Sequence, residues 1–216
     1  MRYLCLDFET NGFSEKNAQF KDWTLPFSSY PVQLSVHAVE DGEVSQLYET
    51  VICGVTSRAP WAQQNIRLTL AEIARGIPFR TMITDLARLL KPGDVLVAHN
   101  ASFDLDTCIS RTATKLNVDT VALRRILATP RFCTMRCAYS KGAFKKAPKL
   151  QDLCDHFEVE LVDAHDAAAD SLALAKCVAE ALRHGVMFCG LTPPCRIVDH
   201  LLASSLHPLA SGCRLL

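Results

Sequence analysis

Residues 2–9, Arg-Tyr-Leu-Cys-Leu-Asp-Phe-Glu, decide how the rest of the chain is interpreted. The run over 2–8 is largely apolar, which predicts a buried β-strand. Asp7 and Glu9 stand two residues apart at its end, and side chains alternate along a strand, so both carboxylates point to one face. Their Cα atoms are expected about 6.5–7 Å apart, close enough to converge on one cation. Phe8 is expected to point the other way, into the core.

The patterns that follow predict more strands. Residues 12–30 lack apolar periodicity and are predicted to form a long loop. Residues 31–40 and 43–52 are predicted to be two strands, because the intervening dipeptide Asp41-Gly42 favours a tight hairpin turn. A short apolar run at 94–98 predicts a further buried strand.

Helices account for most of the remaining chain. The longest, over residues 166–184, is expected to end at Gly185. The others are predicted at the capping box Thr69-x-x-Glu72, over 79–91, from about Ser102, near 119–128 and near 149–157. This order of strands and helices indicates an α/β domain with a mixed sheet flanked by helices.

Length and composition limit the possible classes of protein. A chain of 216 residues with 49% hydrophobic and 21% charged residues fits one globular domain. Lys plus Arg and Asp plus Glu both total 23, so net charge says nothing about a polyanionic partner. We expect one domain over 1–185 and a tail over 186–216 that packs back on the domain, forms a dimer contact or docks on a partner.

The N-terminus and the cysteines bear on location. Asp7 interrupts any apolar signal segment, and no apolar run approaches the roughly 18 residues that span a bilayer. The ten cysteines are therefore expected to be reduced thiols of an intracellular protein with no membrane partner.

Two further acidic segments begin helices. His99-Asn100-Ala101-Ser102-Phe103-Asp104 follows the strand at 94–98, with Ser102 as the predicted N-cap and Asp104 in the first helical turn. His165 precedes the long helix, whose predicted N-cap is Asp166, and Asp170 lies in its first turn.

Together, the three segments can gather four carboxylates and one imidazole. Crowded carboxylates repel one another unless cations neutralise them, and Mg²⁺ or Mn²⁺ are the hard ions that prefer oxygen ligands. Two such ions about 3.5–4 Å apart stabilise both the attacking and the leaving oxygen in a phosphoryl displacement. A nearby neutral histidine can take the proton of the attacking water.

In order and spacing, the motifs Asp7-Phe8-Glu9-Thr10-Asn11-Gly12, His99 to Asp104 and His165-x4-Asp170 resemble those of the DEDDh, or DnaQ-like, exonuclease family over roughly residues 1–184. The resemblance implies a ribonuclease H-like fold and 3′→5′ exonuclease activity with two divalent metal ions. It implies Asp7, Glu9, Asp104 and Asp170 as metal ligands and His165 as the general base.

Contacts to nucleic acid come from two sources. By resemblance, the terminal nucleotide contacts Thr10, Asn11, Gly12, Phe13, His99, Asn100 and Phe103. Independently, residues 111–149 hold ten basic residues against the single acid Asp119, a net charge of +9 that suits a polyanionic strand. Lys145, Lys146 and Lys149 are predicted to follow its backbone.

Within this family the substrate and setting stay open. The segment Tyr30-Pro31-Val32-Gln33-Leu34 after the long loop resembles DNA-proofreading members, which favours single-stranded or frayed DNA 3′ ends over RNA. Alternatives are an RNA 3′-end trimming enzyme and a proofreading subunit tethered to a polymerase by the tail. An inactive nucleic-acid-binding module is a further alternative, against which the complete set of acidic residues argues.

Overall fold

The structure is a computed structural model that describes residues 1–12, 29–140 and 142–184. Its centre is a five-stranded mixed sheet in the order β3-β2-β1-β4-β5. Neighbouring pairs β1–β2 and β2–β3 are antiparallel, whereas β1–β4 and β4–β5 are parallel. The strands are β1 (Arg2–Thr10), β2 (Pro31–Glu40), β3 (Glu43–Val51), β4 (Val95–Ala98) and β5 (Arg131–Cys133).

Helices cover both faces of the sheet. They are α1 (Pro60–Asn65), α2 (Leu70–Ala74), α3 (Phe79–Leu89), a π-helix over Ser102–Arg111 that continues as α4 (Thr112–Lys115), α5 (Val121–Ala128), α6 (Thr134–Ser140), α7 (Leu150–His156) and α8 (Ala167–Arg183). The predicted mixed sheet flanked by helices is therefore confirmed.

Strand β1 separates the two halves of the core by simple alternation. Leu4, Leu6 and Phe8 pack on one face with apolar residues of α3, the π-helix and α5. Cys5 packs on the other face with α6, α7 and α8. The predicted direction of Phe8, away from the carboxylates, is thus confirmed.

Local signals predicted several elements correctly. Asp41 and Gly42 have positive φ values of 54° and 83°, as a tight hairpin turn requires. The capping box at the start of α2 is present, with the Thr69 hydroxyl accepting from Glu72 N–H at 3.2 Å. Asp166 caps α8 by accepting from Ala168 N–H at 2.9 Å and from Ala169 N–H at 3.2 Å.

One capping prediction was wrong. Ser102 does not cap the second-motif helix: its hydroxyl donates to Asn100 Oδ1 at 3.1 Å instead. The helix begins earlier, where the Asn100 carbonyl accepts from Phe103 N–H at 2.7 Å. The backbone of Asn100 thereby meets the first free N–H groups of the helix, and Ser102 lies inside it.

Three parallel strands end at one edge of the sheet. β1, β4 and β5 run in the same direction, so Thr10, His99 and Thr134 at or just after their carboxyl ends share that edge. Such an edge of an α/β sheet is where ligands usually bind.

Two parts of the chain stay outside this description. Phe13, the remainder of the loop through residue 28, and the tail 186–216 lie outside the described residues, so the predictions made for them stay predictions. Among the described helices, none is both long and apolar enough to cross a membrane.

Candidate active site

Three predicted site residues meet at the carboxyl edge of β1. One ligand atom from each of Glu9, His165 and Asp170 lies within 4.8 Å of the other two. Glu9 comes from the end of β1, Asp170 from the first turn of α8, and His165 from the loop before it. The backbone N–H of His165 donates to Asp170 Oδ2 at 3.2 Å, which ties that loop to the helix.

Asp104 reaches the same place from the opposite helical layer. The last β4 residue paired with β1 is Val97, opposite Cys5, so the backbone of β1 beyond that point has no strand partner on this side within the described part of the chain. The Phe8 N–H there donates to Asp104 Oδ1 at 3.2 Å. The π-helix thus closes the gap that β4 leaves, and it does so with a carboxylate that is only 3% exposed.

The pKa values of all four carboxyl groups are raised. Burial, followed by repulsion from Asp104, Glu9 and Asp170, raises the pKa of Asp7 well above its ordinary range. Burial and then Asp170 raise the pKa of Glu9 to about 8. Burial raises the pKa of Asp104 to about 7, against the Phe8 hydrogen bond. Burial likewise raises the pKa of Asp170, against the hydrogen bond from His165.

This arrangement fits divalent cations. Asp170 Oδ1 is buried and has no hydrogen-bond partner among the described residues, although it lies in the cluster with Glu9 and His165. A buried, unpartnered carboxylate oxygen beside three other acids leaves a ligand position that a hard cation can take. The donor set is rich in oxygen, which suits Mg²⁺ or Mn²⁺.

Strand β2 sets the register of α8 against the sheet, which sequence patterns did not predict. Gln33 Nε2 donates to Asp166 Oδ2 at 3.3 Å, and Gln33 Oε1 accepts from Ala167 N–H at 3.4 Å. Further along, His37 Nδ1 lies 2.9 Å from Ser171 Oγ. Polar residues of β2 therefore fix the position of α8 along the sheet, and with it the position of Asp170 relative to Glu9. The only sequence signal for these contacts was the presence of polar residues within a predicted strand.

The loop that carries His165 rests on the α1–α2 region. The indole of Trp61 meets the imidazole of His165 edge-on, with ring centroids 5.1 Å apart and planes at 84°. Asp163 pairs with Arg67 at 2.6 Å. His165 itself has a positive φ of 70° and is exposed. Sequence reasoning missed Trp61, because α1 is a six-residue helix without a usable apolar period.

The first-motif turn is built from inside. Asn11 is fully buried: its Oδ1 accepts from Tyr30 N–H at 2.7 Å, and its carbonyl accepts from Ala59 N–H at 2.8 Å. The Thr10 hydroxyl donates to the Gly12 carbonyl at 3.0 Å. The side chain of Asn11 thus ties the turn to the start of β2, and its carbonyl ties the turn to the residue before α1. The Asn11 N–H also donates within the protein, to the Tyr30 carbonyl at 2.9 Å, so Asn11 serves to shape the turn.

The other predicted nucleic-acid contacts occupy different positions. Phe103 is half-buried against the core, and Asn100 is exposed at the head of the π-helix. His99 uses both ring nitrogens within the protein, with Nδ1 3.0 Å from Thr134 Oγ1 and Nε2 3.0 Å from the Pro148 carbonyl oxygen. The side chains of Lys145, Lys146 and Lys149 are exposed.

The fold and the acidic site together define a nuclease of the ribonuclease H-like class, and solved structures share the fold. One is the structure of a 3′-exonuclease that shows 3′-end specific recognition of a histone mRNA stem-loop. Its TM-score is 0.66 at 14% identity, over 85% of this chain and 82% of that one. Exonuclease X in complex with 5′ overhanging duplex DNA has a TM-score of 0.55 at 20% identity, over 84% and 91%. E. coli Exonuclease I with a dT13 oligonucleotide has a TM-score of 0.62 at 18% identity, over 93% of this chain but 43% of that one.

The family follows from the sequence match. The family model described as Exonuclease, of the RNase T type, matches residues 4–178. The chain belongs to this family of exonucleases, the DEDDh or DnaQ-like group, whose members depend on divalent metal ions. It is an exonuclease and hence a phosphodiester hydrolase. No curated protein is significantly similar to it in sequence.

Proposed function

We propose that the protein removes nucleotides from single-stranded or frayed 3′ ends by hydrolysing the terminal phosphodiester bond with two divalent ions, Mg²⁺ or Mn²⁺. The observation that carries this proposal is the convergence of Glu9, His165 and Asp170 within 4.8 Å, beside Asp7 and Asp104. Acids from both helical layers and from the central strand meet at one point, and burial and mutual repulsion disfavour their charged forms. Such a cluster is suited to binding cations rather than to stabilising the fold.

The four carboxylates would hold the ions. When bound, the ions neutralise the acids, act as Lewis acids toward the phosphodiester and stabilise the charge that develops on its oxygens. Asp104 is held by the Phe8 N–H and Asp170 by the His165 N–H, so two of the four acids have backbone supports independent of any ion.

His165 accepts the proton of the attacking water at a ring nitrogen. The water oxygen forms the new bond to phosphorus, the bond from phosphorus to the 3′ oxygen of the preceding nucleotide breaks, and that oxygen takes a proton from solvent water. The products are a nucleoside 5′-monophosphate and a strand one nucleotide shorter with a 3′ hydroxyl. One ligand atom each of Glu9 and Asp170 lies within 4.8 Å of a ring nitrogen of His165, which places the base beside the metal ligands.

DNA is the proposed substrate, supported by the resemblance of residues 30–34 to DNA-proofreading members. Two of the three structural neighbours described above were solved with DNA. RNA 3′-end trimming is the second candidate. The neighbour solved with a histone mRNA stem-loop supports it, since the match covers 85% of this chain and 82% of that one.

A cleavage assay tests both the chemistry and the sugar. Single-stranded DNA and RNA of one sequence, labelled at the 5′ end, are incubated with Mg²⁺ or Mn²⁺, and EDTA serves as a control. We expect a ladder shortening from the 3′ end, with DNA the faster substrate. Faster cleavage of RNA would select the second candidate.

The matched variants are Asp7→Ala and Glu43→Ala. Asp7→Ala should lower kcat at least about 10³-fold while part of the binding remains, because losing a ligand carboxylate costs several kcal/mol of transition-state stabilisation. Glu43 is an exposed acid at the start of β3, next to the hairpin turn, and its removal should leave kcat unchanged. Full activity of Asp7→Ala would refute the proposed site.

A further inference from the structure

His99 holds the chain segment after β5 at the active-site edge. The Pro148 carbonyl can only accept a hydrogen bond, so His99 Nε2 donates to it across 3.0 Å. Burial lowers the pKa of His99. The neutral ring can then accept a hydrogen bond at Nδ1 from the Thr134 hydroxyl, across 3.0 Å. Both ends of the segment 134–149 are thus bonded to one residue at the carboxyl end of β4.

Between these ends the described part of the segment has two further anchors. The Ala143 N–H donates to the Ala138 carbonyl at 3.2 Å, which folds the chain back on the end of α6. The Phe144 ring packs against His156 with centroids 5.8 Å apart. Lys145 and Lys146 follow directly and are exposed. The segment is therefore a supported surface, although it has little regular structure after α6.

The charged side chains exposed on this segment are all basic, and one aromatic side chain is exposed among them. Arg136 and Tyr139 lie three residues apart on the outer face of α6, and the Tyr139 side chain is 53% exposed. We call these charged and aromatic side chains the basic surface: Arg136, Tyr139, Lys145, Lys146 and Lys149. Within the described residues, none of its four cations forms an ion pair. By contrast, Arg124 nearby in the chain pairs with Asp119 at 2.7 Å.

We propose that the basic surface binds the single-stranded nucleic acid on the 5′ side of the terminal nucleotide. This proposal rests on the proposed function and adds the path of the strand. Once the 3′ end lies among the acids, the rest of the strand must leave along the same edge, where the segment anchored to His99 supplies unpaired cations. Phosphates bind the lysines and Arg136, and a base stacks on Tyr139.

Substrate length tests this path in the full chain. KM and kcat are measured with single strands of about 20 and about three nucleotides, since only the longer strand reaches beyond the active site. Arg136→Glu and Tyr139→Ala should each raise KM for the longer strand about 10-fold and change it less than about two-fold for the shorter. The salt dependence of log K for Arg136→Glu should flatten by about 0.7, the loss of one phosphate contact.

Lys91→Glu is the matched control. Lys91 is also exposed, but it lies in the turn before β4, at the opposite edge of the sheet. An equal KM rise for both lengths, an unchanged KM for the longer strand, or the same rise in Lys91→Glu would overturn the proposal.

A binding arm separates this proposal from the proposed function. Fluorescence anisotropy of the longer strand is measured on Asp7→Ala with and without Arg136→Glu, so that cleavage plays no part. An Arg136-dependent loss of affinity, together with a wild type that cleaves neither DNA nor RNA, would support the surface and refute the proposed function. Cleavage in the wild type with no such loss would do the reverse.

Discussion

Glu9→Gln should stabilise the metal-free protein at alkaline pH and leave its stability unchanged in acid. Glu9 is 7% exposed, and burial with the neighbouring acids raises its pKa from 4.5 to about 8. The folded state therefore holds this proton more tightly than the unfolded state does. The resulting contribution to stability is fully present below pH 4.5 and is lost as the pH rises through about 8. A neutral glutamine carries no charge to desolvate and escapes that loss.

The size of the effect follows from the two pKa values. Their difference is about 3.5 pH units, and each unit corresponds to about 1.4 kcal/mol, so the ceiling is about 5 kcal/mol. The substitution recovers less than this ceiling, because the free-energy cost of ionising the other three buried acids remains and the glutamine amide must still be buried. We therefore expect Glu9→Gln to raise the free energy of unfolding by about 2–3 kcal/mol at pH 8, which corresponds to a rise of about 5–10 °C in Tm for a chain of this size.

The assay is thermal unfolding in EDTA at about pH 4, 6 and 8, with circular dichroism as the readout. Glu43→Gln, an exposed acid on β3, is the control and should change the free energy of unfolding by less than about 0.5 kcal/mol. Adding Mg²⁺ or Mn²⁺ should raise the Tm of the wild type more than that of Glu9→Gln, because the ions bind ionised ligands. A variant no more stable than wild type at pH 8, or equally stabilised at pH 4, would refute the reasoning.

Three further predictions concern the His165 loop and the helix behind it. His165→Ala should lower kcat by about 10²–10⁴-fold near neutral pH and less at high pH, where hydroxide replaces the base; an unchanged pH–rate profile would exclude that role. Trp61→Ala should lower kcat about 10-fold with little change in KM, because the imidazole loses its edge-on neighbour, and Trp61→Phe should restore most of it; equal loss in both would argue against positioning. Asp166→Ala should cost about 1–2 kcal/mol in chemical denaturation, since α8 loses a cap with two hydrogen bonds and the contact with Gln33, and an unchanged midpoint would contradict this.

Features that depend on a few consecutive residues were predictable. Asp41-Gly42 set the hairpin through backbone conformations that few residue types adopt. Asp166 set the start of α8 through its own hydrogen bonds. The two carboxylates of β1 share a face because alternation along a strand is a local property.

Short elements escaped prediction for a physical reason. β5 is three residues long, and its strand conformation comes from pairing with β4, where Leu96 lies opposite Arg131. Ser102 was assigned a cap by its residue type, but the Asn100 carbonyl accepts the first helical N–H groups and decides the start. In the first case the deciding partner is a strand distant in the chain, and in the second it is a backbone carbonyl, which residue type does not reveal.

By itself the sequence determined which groups this protein can use: four acids and one histidine in three spaced motifs, and a basic segment between the second and third. Only the tertiary structure decided how they meet. Asp104 joins Glu9 because the π-helix fills the end of β1 that β4 leaves unpaired. His165 contacts Trp61 because its loop packs against α1, which lies more than 100 residues earlier in the chain. Local chemistry sets residue types and turns, but burial and contacts between distant segments belong to the whole fold, and those raise the pKa values and complete the site.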